Sequence, residues 1–106
     1  MWDHGTEDGS LCVDATTDES WSSSLAISDV SGLLAQKDNI PLVVFNNCLL
    51  GSELVVTQMV GSTDVIVVSE SESYPSGTTY GYKKFFSTIT ADMTAEEMAE
   101  VLIQNV

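Results

Sequence analysis

The sequence predicts an α/β domain built on a mostly parallel sheet. Two observations carry that class. Leu42-Val43-Val44-Phe45 and Val65-Ile66-Val67-Val68 are continuous apolar runs of strand length, the pattern of strands buried on both faces. Between them lies an amphipathic stretch, Ser52 to Val60, with Leu50, Leu54 and Val55 forming its apolar stripe. Strand, helix and strand within about 30 residues make a βαβ unit, whose two strands run parallel through a right-handed crossover.

Each element has its own justification. Residues 5 to 26 are rich in Gly, Ser, Thr and Asp and read as one long surface loop, of a length that suits function better than passive connection. Ser28 is placed to cap a short helix reaching Gln36, with Val30, Leu33 and Leu34 on one face. Asp38-Asn39 signals a turn before the first strand. The central helix ends at Gly61, where a glycine can take the left-handed closing conformation. The second strand spans Asp64 to Ser69, and residues 69 to 82 form a polar loop. Thr94-Ala95-Glu96-Glu97 is a capping box opening a final helix, with Met98, Val101 and Leu102 inward. No repeat or linker divides the 106 residues, so they form one domain or part of one.

Charge narrows the partners. Lysine and arginine total 3 against 16 acids, a net charge of −13. Such a chain is poorly equipped to neutralise phosphates, which argues against nucleic acid as a partner. It argues against anionic membrane surfaces for the same reason. The acidity keeps the surface solvated and is compatible with cationic partners. No apolar run is long enough to span a bilayer, and no basic segment leads into an apolar one as in a signal peptide.

The chemistry concentrates in two runs, Trp2-Asp3-His4-Gly5 and Phe45-Asn46-Asn47-Cys48-Leu49-Leu50-Gly51. A thiol needs a base to become a good nucleophile near pH 7, and imidazole is the usual one. The chain has a single histidine, so a cysteine–histidine enzyme would have to pair His4 with Cys48. Cys48 falls at the carboxyl end of a strand and just before a helix. Ligands of open α/β sheets bind at that end, and a helix N-terminus there would lower the thiol pKa. A nucleophilic Cys48 cannot be bridged to Cys12, which reads as structural or incidental. His4, Cys12 and Cys48 lack the C-x-x-C pair or second histidine of a zinc site. Asp8, Asp14, Asp18 and Glu19 are hard oxygen donors of the kind calcium takes, but match no EF-hand spacing and read as a solvated loop.

Three runs in order resemble the clostripain family of cysteine endopeptidases, peptidase family C11, a branch of the caspase–gingipain fold. Trp2-Asp3-His4-Gly5 is similar to that family's histidine motif. Asn46-Asn47-Cys48-Leu49-Leu50-Gly51-Ser52 is similar to its cysteine motif, usually Asp-Ala-Cys-Leu-Met and a small residue. Val68-Ser69-Glu70-Ser71-Glu72-Ser73-Tyr74-Pro75-Ser76-Gly77, running on to Tyr82, is similar to its downstream pocket segment. The histidine-to-cysteine spacing also approaches the caspase pattern, with the histidine about 50 residues upstream.

The resemblance implies a three-layer caspase-like fold with a mostly parallel sheet. It implies hydrolysis of peptide bonds in a peptide or protein substrate, with Cys48 as nucleophile and His4 as general base and acid. The backbone N–H groups of Gly5 and Cys48 would form the oxyanion hole, while Asn46, Ser69 and Glu70 would contact substrate. Calcium is the one cofactor it suggests, and it is compatible with a secreted or cell-envelope location. This chain departs from the pattern at Asn46, where an acid is usual. The Asp of the usual Pro-Gly-Asp-Gly run also has no counterpart near Ser76. Those acids select arginine or lysine before the cut, so basic selectivity is expected to be weak. Lys37 is the only basic residue between His4 and Cys48, which argues against self-cleavage at a basic site.

The fold would place further strands before the histidine motif, and only Met1 and Trp2 precede it. Residues 1–106 are therefore expected to be part of a larger peptidase domain with its leading strands missing. The isolated chain is then expected to fold poorly, with His4 loosely held, and to hydrolyse peptides slowly or not at all. A catalytically inactive or fragmentary caspase-like binding or scaffold module is the alternative.

Overall fold

A computed structural model describes residues 2–12, 24–38, 40–72 and 81–104. The elements are β1 (Trp2–Asp3), β2 (Ser10–Leu11), β3 (Leu25–Ala26), α1 (Ile27–Ala35), β4 (Leu42–Val44), β5 (Asn46–Asn47), α2 (Glu53–Met59), β6 (Val65–Val67), α3 (Tyr82–Thr88) and α4 (Ala95–Ile103).

The βαβ unit forms as the apolar runs require. β4 and β6 pair in parallel with Leu42 opposite Val65, Val43 opposite Ile66 and Val44 opposite Val67. The ladder extends at both ends, from the Val65 N–H to the Pro41 carbonyl at 3.0 Å and from the Phe45 N–H to the Val67 carbonyl at 2.9 Å. After a break at Phe45 the chain pairs on as β5, this time with β1, again in parallel. The segment from Leu42 to Asn47 thus meets β6 over its first part and β1 over its second.

Alternation divides the sheet's side chains. Val43 and Ile66 join a cluster of Leu11, Ile27, Phe45, Leu50, Val55 and Met59, to which α1 and α2 contribute. Leu42, Val44, Val65 and Val67 join Ala99 and Leu102 of α4, with Tyr82 and Phe85 of α3. Helices therefore cover opposite sides of a small parallel sheet in an α/β fold. Only Val67 among the β4 and β6 residues is buried, and the others are half-buried, so the covering is incomplete.

The helices match the expected signals at several points. Ser52 caps α2 by accepting from the Val55 N–H, and Gly61 follows with φ +82°. Thr94 and Glu97 bond reciprocally at the start of α4, at 3.2 and 2.8 Å. Leu102 is buried as expected, with Ala99 beside it, while Met98 and Val101 are half-buried.

Four expectations need correction. Residues 5 to 26 are not loop throughout: β2 and β3 pair antiparallel inside that span, and Leu11 is fully buried. Residues 13–23 of it lie outside the described residues. Ser28 does not cap α1, because the helix already begins at Ile27 after an Ala26 N-cap that makes no side-chain bond. The helix anchors instead through Ile27, Val30 and Leu34, and Leu33 is 65% exposed because it falls off that face. Finally, α3 occupies residues for which the sequence suggests no element. Its N-cap, Gly81, offers no side chain, and the helix is held by packing of Phe85 against α4 and by a bond from the Gly81 N–H to the Leu102 carbonyl. Tertiary contact decides such a helix, and propensity does not.

Candidate active site

The sheet brings the two sequence motifs together. In the β1–β5 pair Trp2 lies opposite Asn46 and Asp3 opposite Asn47. The next residues along the two parallel strands are His4 and Cys48. Both leave their strands at the carboxyl edge of the pair. Two contacts join the segments there. The Asn47 Nδ2 donates to the His4 carbonyl at 3.0 Å. Gly5 lies so close that a Cβ there would stand 2.6 Å from the Cys48 carbonyl oxygen and 3.0 Å from Asn47 Cβ.

His4 opens a closed hairpin. Its carbonyl accepts from the Cys12 N–H at 3.0 Å, and the Thr6 N–H donates to the Ser10 carbonyl at 3.1 Å. Gly5 therefore pairs with Leu11 at a position whose flanking bonds do not use the Gly5 N–H. At the tip, the Thr6 hydroxyl and the Ser10 N–H both donate to the Asp8 carboxylate. These bonds, the Thr6 hydroxyl first, hold Asp8 below its ordinary pKa of 3.8. Gly9 turns with φ +84° directly against Ile27, where a Cβ would meet Ile27 Cγ2 at 2.5 Å. The histidine segment is thus held by its own hairpin as well as by β1, a firmer mounting than two strand residues suggest.

Cys48 opens the turn that leads to α2. Leu49 takes the left-handed conformation at φ 59°, uncommon for a residue with a branched side chain, and Leu50 is buried in the first core cluster. Four residues thus separate Cys48 from the helix, which is a longer gap than the sequence implies. Ser69, Glu70 and Ser71 run along this turn: the Leu49 N–H donates to the Ser71 carbonyl at 3.1 Å and the Gly51 N–H to the Ser69 carbonyl at 2.8 Å. Gly51 permits that approach, since a Cβ would meet Glu70 Cγ at 2.7 Å and Glu70 N at 2.9 Å. The Ser52 hydroxyl links the two halves of the site, capping α2 while donating to the Glu7 carbonyl at 2.8 Å.

Of the residues the sequence singled out, His4, Gly5, Cys48, Ser69 and Glu70 gather at this edge. Asn46 lies beneath it in β5, 1% exposed, and neither amide atom has a hydrogen-bond partner among the described residues. Cys12 packs against the first cluster with φ 53°, and neither cysteine is in a disulfide. The sequence reading missed Asn47 and Ser52. The only available signal for Asn47 was its place beside Cys48, and for Ser52 its N-cap position.

Metal ligands do not assemble at this edge. Among the described residues no three His, Cys, Asp or Glu side chains form a group that could hold an ion, so the zinc set is not brought together. Of the acids considered for calcium, Asp8 engages Thr6 and Ser10, and Asp14, Asp18 and Glu19 lie outside the described residues. No helix among the described residues is long and apolar enough to cross a membrane.

A histidine and a cysteine that each follow one of two paired parallel strands suit a thiol-dependent hydrolase. Comparison with family models makes the class specific: the model of the clostripain family, peptidase C11, matches residues 1–106, the whole chain. The chain belongs to the clostripain family, a family of proteolytic cysteine peptidases. Searches of curated proteins and of solved structures found no match.

Proposed function

We propose that the chain is a cysteine endopeptidase acting through a Cys48–His4 dyad on a caspase-like three-layer frame. The observation that supports this reading is the β1–β5 register, in which Asp3 lies opposite Asn47 and His4 and Cys48 are the next residues of the two segments. His4 takes the thiol proton, and the Cys48 sulfur attacks the peptide carbonyl. A C–S bond forms, and the carbonyl oxygen becomes an oxyanion. Backbone N–H groups of Gly5 and Cys48 stabilise it, each donor worth on the order of 3 kcal/mol in acyl transfer. The C–N bond breaks as His4 returns the proton to the leaving amine. Water, deprotonated by His4, then cleaves the thioester, releasing the acid and restoring the thiol.

Gly5 suits the oxyanion role because its N–H is not used in the hairpin ladder. Ser69 and Glu70 border the cleft as substrate contacts. Asn46 stands where the family pattern usually has an acid, so no carboxylate at this position selects arginine or lysine before the cut.

The test is labelling of the 106-residue protein with a thiol-directed peptide electrophile. Labelling of Cys48 that Cys48→Ala and His4→Ala both abolish is the expected result. Labelling that survives His4→Ala, or none at all, sinks the dyad. A peptide library then reads specificity. Exclusive cleavage after arginine would show that Glu70 or Glu72 supplies the missing charge.

A further inference from the structure

We propose that Asn47 is a positioning residue: its side-chain amide holds the backbone of His4 at the level of Cys48. The inference rests on the reading of His4 as base and Cys48 as nucleophile. Asn47 is fully buried, and its Nδ2 donates to the His4 carbonyl at 3.0 Å. The backbone pairing of β1 with β5 ends one residue earlier, at Asp3 and Asn47. The Asn47 amide spans the gap from the residue adjacent to the nucleophile to the residue that carries the base.

The same carbonyl accepts from the Cys12 N–H at 3.0 Å, so both acceptor sites of the His4 oxygen are engaged. One donor belongs to the histidine hairpin and the other to the cysteine strand. Removing the Cys12 contribution would loosen the hairpin. Removing the Asn47 contribution would uncouple the hairpin from Cys48. Because Asn47 is buried and aimed at backbone, it acts on the geometry of the dyad and not on substrate affinity. A misplacement of about 1 Å between reacting groups can cost on the order of a hundredfold in rate.

The experiment compares the 106-residue protein with Asn47→Ala, using two readouts. The first is the kinetics of Cys48 labelling by the peptide electrophile, resolved into binding and a first-order inactivation step. We expect the inactivation step to slow by about tenfold to a hundredfold with binding unchanged. The second needs no activity. The chain has one histidine, so labelling histidine with carbon-13 at the carbonyl gives one NMR signal. Loss of a hydrogen bond at that oxygen should move this signal in Asn47→Ala.

An inactivation step within twofold of the parent, a change confined to binding, or an unmoved carbonyl signal each overturns the proposal. If Asn47→Ala does not fold, Asn47→Asp decides: it fills the same space but, when ionised, has no proton to donate. Parental inactivation kinetics in that variant would mean that Asn47 only fills space. If the parent protein does not label at Cys48, the peptidase reading fails. The carbonyl signal then still decides whether Asn47 fixes the His4 backbone.

Discussion

Gly5 is the residue on which the closeness of the two motifs depends most directly. A methyl group there would sit 2.6 Å from the Cys48 carbonyl oxygen, a contact that backbone must move to relieve. Gly5→Ala should therefore cost about 1–3 kcal/mol in stability, in the range of overpacked sites, and should also suppress Cys48 labelling. Urea unfolding and labelling together check this, and a variant with parental values in both would show that the edge is looser than its contacts imply. Asp8 gives a pH prediction with a definite sign. Its folded pKa lies below the ordinary 3.8 because Thr6 and Ser10 donate to the carboxylate. Its contribution is therefore present above 3.8 and lost as pH falls through the lower folded value. A carboxyl NMR titration should place the Asp8 midpoint below 3.8, and Thr6→Val should raise it.

Two serine or threonine caps separate local stability from site geometry. Ser52 caps α2 and also grips the Glu7 carbonyl of the histidine hairpin. Thr94 caps α4 through an exposed reciprocal box on the other side of the sheet. Alanine at each should cost about 1 kcal/mol. In a domain of this size that corresponds to roughly 4–8 °C in Tm. Only Ser52→Ala should also slow Cys48 labelling, since only that hydroxyl joins the histidine and cysteine segments. Equal slowing in both variants would assign the effect to general stability. The elements themselves were unevenly legible. β4, α2, β6 and α4 carry their own apolar period and caps, so the residues announce them. β2, β3 and α3 do not, since each is a short or weakly capped element that exists only where a partner strand or helix covers it.

The whole molecule carries 16 acids against 3 lysines, and that charge acts on the compact state as self-repulsion. Added sodium chloride should therefore raise Tm, most steeply at low salt, where the screening length is about 30 Å at 0.01 M and falls to about 10 Å at 0.1 M. A Tm that falls or stays flat between those concentrations would show that the acids are locally compensated. By itself the sequence determined the parallel βαβ core, the two capped helices and the candidate nucleophile and base, because hydrophobic period and short motifs are local properties. Tertiary structure alone decided that Asp3 stands opposite Asn47, so that the histidine and cysteine motifs lie on paired strands. It also decided that Asn46 is buried while Asn47 turns its amide onto the His4 carbonyl. Register, burial and the partner of a side-chain amide depend on which distant segments come together, and a residue's neighbours along the chain do not specify that.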